Sequence, residues 1–375
     1  MLWMYSGFVL LILALLALDL GVFNRKAHVV SVKEALGWSV FWITIGLAFS
    51  GFIYFGYENH WLGLGLTPDL MTARPVAVEG LGTVYNDGAS AFVKYVTGYL
   101  VEKSLAVDNI FVISMIFTFF AVPALYQHRV LFWGILGALL LRGAMIAVGA
   151  KMIQEFAWII YVFGGFLILT GVKMLLLKEG ETDPNRNLVV RATRRLFPIT
   201  ERFHGEHFFV RAGTDASREA ETPGAAVASD RVVEAAKRGT VLATPLFLAL
   251  VMVEFTDLIF AVDSIPAIFA ITADPFLVFT SNVFAILGLR SLYFALAGMI
   301  DKFRYLKVSL AVVLMVVGVK MMTHKWLKEQ LGENFNLYLL AVVLLILAAG
   351  VVASLLKNRG EETRSGGPGA ARPVE

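Results

Sequence analysis

The chain has 375 residues, of which 58% are hydrophobic and only 16% charged, and it carries a formal net charge of +3. Soluble domains sit near a quarter charged, so this composition, with a mean hydropathy of +0.73, points away from a soluble enzyme and from a nucleic-acid surface. Cysteine is absent, which excludes disulfides, thiolate metal sites and iron–sulfur clusters.

The N-terminal run LWMYSGFVLLILALLALDLGVF (2–23) is too long for a signal peptide and lacks a small-residue cleavage site. It reads as a retained first span, with Asp19 near its inner end. Further runs of the roughly 20 apolar residues that cross a bilayer lie at 34–55, 89–121, 129–150, 156–177, 241–271, 275–300, 305–323 and 335–356. The pattern predicts an all-α polytopic membrane protein of about nine transmembrane helices. It divides into an N-terminal two-helix segment with an outer loop (1–88), a first three-helix unit (89–177), a cytoplasmic loop (178–240), a second three-helix unit (241–323), an outer loop with the last helix (324–356) and a disordered tail (357–375). Arg25, Lys26, Lys33, Arg129, Lys302, Arg304 and Lys307, the basic 178–240 segment and the tail all fall on one side, which is therefore cytoplasmic. The opposite loop 56–88 holds Glu58, Asp69, Glu79 and Asp87 against Arg74 alone, while Lys325 and Lys328 are the exception. The N-terminus is then outside and the C-terminus cytoplasmic.

Two spans are acidic, although a carboxylate at the bilayer centre costs on the order of 3 kcal/mol. EKSLAVDNI (102–110) aligns without gaps with DLIFAVDSI (257–265). FWGILGALLLRGAMI (132–146) resembles NVFAILGLRSLYFAL (282–296), each with one arginine, Arg142 or Arg290, and LILTGVKMLL (167–176) resembles VLMVVGVKMM (313–322). Spans three to five and six to eight are thus two copies of one unit in opposite orientations, and such inverted repeats are a recurring architecture of secondary transporters.

Seven residues return a helix to nearly the same face, so Glu102 and Asn109 share one, as do Asp257 and Ser264, whereas Asp108 and Asp263 are rotated about 120° away. Pro266 removes the bond to the carbonyl of Val262 and is expected to break span six beside Asp263 and Ser264. Glu254 and Asp19 are further candidates. Every buried donor is an oxygen, and all six histidines fall outside the spans. That set favours hard divalent ions such as Mn²⁺, Mg²⁺ or Ca²⁺ over Zn²⁺ and Cu⁺, and leaves a proton or Na⁺ relay open. Arg142 and Arg290 lie mid-span and are read as buried ion-pair or gating partners of the carboxylates. Lys173 and Lys320 are expected to snorkel at span ends, Lys94 to be interfacial, and Lys103 to find a deeper partner. HGEHFFVRAG (204–213) suits a short strand or an amphipathic patch, and 214–229 a flexible linker. No phosphate loop, nucleophile elbow or zincin motif occurs, so neither catalytic residues nor nucleotide-driven transport are assigned.

VEKSLAVDNIFV (101–112), VEFTDLIFAVDSIPAIFAIT (253–272), TSNVFAILGLR (280–290) and GEHFFVRAG (205–213) together resemble the TerC family of integral membrane proteins, its Alx-type members especially. The resemblance implies a bacterial inner-membrane protein linked to Mn²⁺ export and metal homeostasis, with older associations to tellurium resistance and alkaline pH. It implies that Glu102, Asp108, Asn109, Glu254, Asp257, Asp263, Ser264 and Asp19 carry the metal, with Mn²⁺ as transported substrate and no permanently bound cofactor. One departure is that Tyr99 stands where Glu254 would have its counterpart. A metal sensor or a loader of exported metalloenzymes, a broader cation/proton antiporter and a metal-dependent lipid phosphatase remain alternatives. The implied partners are a divalent cation and membrane lipid, without nucleic acid, and a homo-oligomer is left open.

Overall fold

The structure, a computed structural model, describes residues 2–18, 30–71, 75–156, 158–176, 188–214, 230–296, 305–331 and 335–365. The apolar runs fold as helices because a helix satisfies its own backbone groups where no water is available. In chain order these are α1 (Leu2–Leu18), α2 (Val32–Glu58), α3 (Gly88–Phe119), α4 (Ala124–Glu155), α5 (Ile159–Leu176), α6 (Leu188–Leu196), α7 (Arg231–Ala235), α8 (Pro245–Phe269), α9 (Pro275–Ile286), α10 (Leu289–Leu296), α11 (Leu306–Met322), α12 (His324–Leu331) and α13 (Phe335–Ser365). The strands β1 (Val76–Val78) and β2 (Gly82–Val84) make a hairpin at one end of the bundle, in the register Val76–Val84. At the other end β3 (Phe209–Arg211) pairs antiparallel with β4 (Val241–Ala243), Phe209 opposite Ala243.

Among the described residues, five helices are long and apolar enough to cross a membrane: α2, α4, α5, α8 and the Asn336–Ser354 part of α13. The pair α9 and α10, bent by 40°, makes a sixth. The apolar stretches of α1 and α11 are shorter, and α3 is long but carries Lys94, Glu102, Lys103 and Asp108.

Four expectations need correction. Span six does not begin at 241, because residues 241–243 form β4 and the helix starts at Pro245 after the Thr244 cap. Pro266 does not break α8, which continues to Phe269; a proline this near the end forfeits one bond, and the Ala270 amide still reaches its carbonyl. The break lies instead in span seven at Leu287–Gly288, where Gly288 has φ +79° and a Cβ would meet that of Trp42 at 2.6 Å. The last helix runs to Ser365, into the segment expected to be disordered.

Packing is set by α3, α4, α5, α8, α9 and α11. Helix α4 lies against α8, α3 against α9, and α5 against α11. The last pair meets backbone to backbone, since a Cβ on Gly318 would stand 2.8 Å from the Gly164 carbonyl oxygen, and one on Gly171 2.7 Å from that of Ala311. Gly318→Val should therefore force the helices apart and cost about 1–3 kcal/mol. A thermal melt of the purified variant in detergent checks this, and an unchanged melting temperature would show that the close approach is not needed.

Candidate functional site

Three helices bring a polar centre into the apolar interior. Arg142 of α4 donates through Nη1 to Glu102 Oε1 of α3. Its Nε and Nη2 grip Asp257 of α8 at 3.2 and 2.9 Å, a bidentate fork of the kind guanidinium and carboxylate form best. Arg142 Nη1 also reaches the Ser264 hydroxyl at 3.3 Å, and that hydroxyl donates to Glu102 Oε1 at 3.3 Å. Asn109 completes the cluster, its amide 3.4 Å from Asp257 Oδ1. Arg142 and Glu102 are each 2% exposed. Two carboxylates share one guanidinium, so the ionised centre is left with one net negative charge. Glu102 Oε2 has no hydrogen-bond partner among the described residues, so the cluster retains an open acceptor.

The seven-residue spacing thus places Glu102 and Asn109, and Asp257 and Ser264, in one cluster. The other candidates fall elsewhere. Asp108 is half-buried on α3, and Asp263, also half-buried, accepts from the Thr170 hydroxyl of α5 at 3.1 Å, in keeping with the 120° rotation of these two positions from Glu102 and Asp257. Glu254 lies over Gly137 of α4, where a Cβ would overlap its carboxylate. Arg290 is buried in α10, just past the bend. Asp19 lies outside the described residues. Among those residues, no three histidine, aspartate or glutamate side chains converge to hold a metal directly.

Of the lysines, Lys103 finds the deeper partner expected of it, whereas Lys320 and Lys94 depart from their sequence reading. Lys103 caps the broken span, donating to the carbonyls of Ala285 and Leu287 at 3.1 and 3.2 Å. Lys320 does not snorkel: it is 2% exposed and donates to the carbonyl of Ala270, at the end of α8. Lys94 is not interfacial either. It is buried and bonds Asp69 Oδ2 at 2.8 Å and Asn86 Oδ1. Asp69 also accepts from the Thr272 hydroxyl at 2.6 Å and the Ala273 amide at 2.8 Å. Asp274 caps α9 through the Phe276 amide at 3.0 Å and accepts from Tyr57. This second cluster closes the hairpin end of the bundle, about 12 Å along α3 from Glu102 at 1.5 Å per residue.

Electrostatics separate its two acids. Burial pushes Asp69 up, but the Lys94 ammonium and the donors from Thr272 and Ala273 outweigh it and hold the carboxyl well below the usual range. Burial, then the charge of Asp69, pushes Asp274 up to about 6. The signal for this cluster in the sequence was Asp274-Pro275, a cap followed by proline at the first helical position, together with a lysine inside an apolar helix.

At the opposite end, residues 188–214 and 230–244 are more than a loop. Val190 and Phe203 are buried against α3, α4 and α8 residues. Strand β4 leads directly into α8, with the Thr244 hydroxyl and amide bonded to the carbonyls of His207 and Phe208 at 2.7 and 2.9 Å. The helix carrying Asp257 and Ser264 is thereby anchored to this module. The expected 204–213 strand appears as β3, while 179–187 and most of the 214–229 linker lie outside the described residues.

The profile of the integral membrane protein TerC family matches residues 87–362. An uncharacterised membrane protein of Myxococcus xanthus is 45% identical over 360 residues, 96% of this chain and 94% of its own length. Alx of Escherichia coli K12, provisionally named a membrane-bound redox modulator, is 41% identical over 346 residues, 91% of this chain and 93% of its own. A membrane protein of Rickettsia bellii is 36% identical over 351 residues, 94% of this chain and 96% of its own. No solved structure matches the chain.

Proposed function

The chain belongs to the TerC family of integral membrane proteins, and from that premise we propose that it is a secondary transporter exporting a divalent cation, Mn²⁺ foremost, across the bacterial inner membrane in exchange for protons. The observation that carries the reading is the Glu102–Arg142–Asp257 centre, in which carboxylates from two aligned segments share one buried guanidinium. A buried charge cluster of this kind inside a membrane protein marks an ion pathway far more often than a scaffold. Arg142 serves as a tethered counter-cation: when the substrate ion enters, the guanidinium withdraws and frees Glu102, Asp257, Asn109 and Ser264 as oxygen ligands. The unbalanced negative charge attracts a proton in the ion's absence, and metal binding expels it, since carboxylates ligate in the deprotonated form.

Packing supports an inverted repeat. With the Gly-Val-Lys segments aligned, Gly171 corresponds to Gly318 and Gly164 to Ala311; the contact of Gly164 with Gly318 then exchanges with that of Ala311 with Gly171. The pairing of α4 with α8 likewise exchanges with that of α9 with α3. Such exchange suits alternating access about a site near the midplane. On the loop-charge argument the hairpin end faces outward and the 188–244 module faces the cytoplasm. The relatives' redox name does not favour thiol chemistry here, because the chain holds no cysteine.

Everted vesicles containing the protein should accumulate Mn²⁺ when energised, and collapsing the pH gradient and the potential together should stop it. Zn²⁺ should gain nothing, because an all-oxygen set does not prefer it. Accumulation that survives loss of both forces would sink proton exchange; equal handling of Zn²⁺ would sink the oxygen-site reading.

A further inference from the structure

Asn282 on α9 is fully buried, and neither its amide nitrogen nor its amide oxygen has a hydrogen-bond partner among the described residues. A buried primary amide with both ends unmatched costs stability, so its presence inside the bundle calls for a function. Its position follows from three contacts. Ser281 lies against Gly98 of α3, where a Cβ would stand 3.1 Å from the Ser281 hydroxyl and 3.6 Å from Ile268 of α8. Phe279 lies against Gly143 of α4 at 3.4 Å, beside Arg142. At 100° per residue, Asn282 falls within the arc between these α3-facing and α4-facing directions. Val278 shares that arc and is buried in one cluster with Val101, Ile146, Ile265 and Ile268, so this arc faces α3, α4 and α8.

The level is set as well. Gly98, Ser281 and Ile268 mark one layer, and one turn further on, Glu102 and Ser264 are bonded to each other. Asn282 stands one residue beyond that layer, which leaves it about 4–5 Å from Glu102 along the bundle axis, at a rise of 1.5 Å per residue. The Tyr99 hydroxyl, unmatched at a similar depth, lies against Gly46 of α2, which leaves Glu102 Oε2, the open acceptor of the centre, as the group with which Asn282 would share a ligand.

We propose that Asn282 supplies a neutral oxygen ligand to the transported cation, on the hairpin side of the Glu102–Arg142–Asp257 centre. The inference rests on the cation-transport reading above. An amide oxygen suits a hard divalent ion and adds no further negative charge to a centre that already carries an excess.

Mn²⁺ binding to the purified full chain, read by electron paramagnetic resonance, tests it with Asn282→Leu, which keeps the volume and removes both polar atoms. Binding should weaken at least tenfold while the melting temperature rises, because the unmatched amide is gone. A merely structural amide would give the opposite pair, lower melting and unchanged binding per folded molecule. Unchanged Mn²⁺ affinity, or an absence of binding in the wild type, overturns the proposal. Asn282→Ala is read in the same way if the leucine variant does not insert, and Asn282→Asp, which keeps an oxygen, should bind within a few-fold of wild type. Vesicle uptake by the wild type tests the transport reading separately: binding without uptake would remove transport and leave Asn282 a ligand.

Discussion

Arg142→Leu should abolish Mn²⁺ transport and cost about 3–5 kcal/mol of stability, as breaking one side of a buried ion pair does. The reason is charge. Without the guanidinium that both bind, Glu102 and Asp257 are left with no counter-cation between them, and Glu102 is 2% exposed. Neutralising all three positions separates stability from function. The triple variant Arg142→Leu, Glu102→Gln, Asp257→Asn should recover most of the melting temperature, since no buried charge is left unpaired, yet remain dead in transport. Detergent melts and vesicle uptake on the same preparations make the comparison. A single Arg142→Leu protein that melts like wild type would mean the pair is not held in the dominant state, and a transporting triple variant would remove these carboxylates from the pathway.

Much of this centre was legible because its logic is helical and local. Glu102 and Asn109, like Asp257 and Ser264, are seven residues apart, and that periodicity alone puts each pair on one face. The gapless alignment of 102–110 with 257–265 then marked the two faces as equivalent, and Arg142 stood mid-span as a candidate ion-pair partner for their carboxylates. The same arithmetic rotates Asp108 and Asp263 off those faces, and Asp263 accepts from Thr170. What could not be read depends on contacts between distant segments. Lys94 looks interfacial when counted along α3, but its partner Asp69 comes from a loop and Thr272 from the turn before α9. The bend in span seven is another case. Pro266 was the conspicuous breaker, yet it sits where a helix is about to end, while Gly288 owes its conformation to the Trp42 side chain pressed against it and to Lys103 capping the freed carbonyls. Periodicity carries no information about either neighbour.

The cluster around Lys94 carries the second large effect, and its sign depends on pH. Lys94→Met leaves Asp69 without its ammonium in a site where both side chains are fully buried, so at pH 8 the loss should again be about 3–5 kcal/mol. In the wild type the two acids act oppositely. Asp69, held below its ordinary value, contributes stability that is complete above that value and lost as the pH falls beneath it. Asp274 is raised from 3.8 to about 6, so the folded state binds its proton more tightly, and stability falls as the pH climbs between those values and is flat beyond. Removing Lys94 takes away the cation that keeps Asp69 ionised, so that both acids now favour protonation. The destabilisation of Lys94→Met should therefore shrink steadily from pH 8 to pH 5, and Asp69→Asn combined with Lys94→Met should erase most of it at every pH. In an otherwise native chain, Asp274→Asn should flatten the decline in stability between pH 4 and pH 6, because asparagine can still cap α9 but has no proton to lose. Melting temperatures across that range decide the matter. A Lys94→Met deficit that stays constant from pH 5 to pH 8 would show that the lysine stem, rather than its charge, holds the hairpin end against α9.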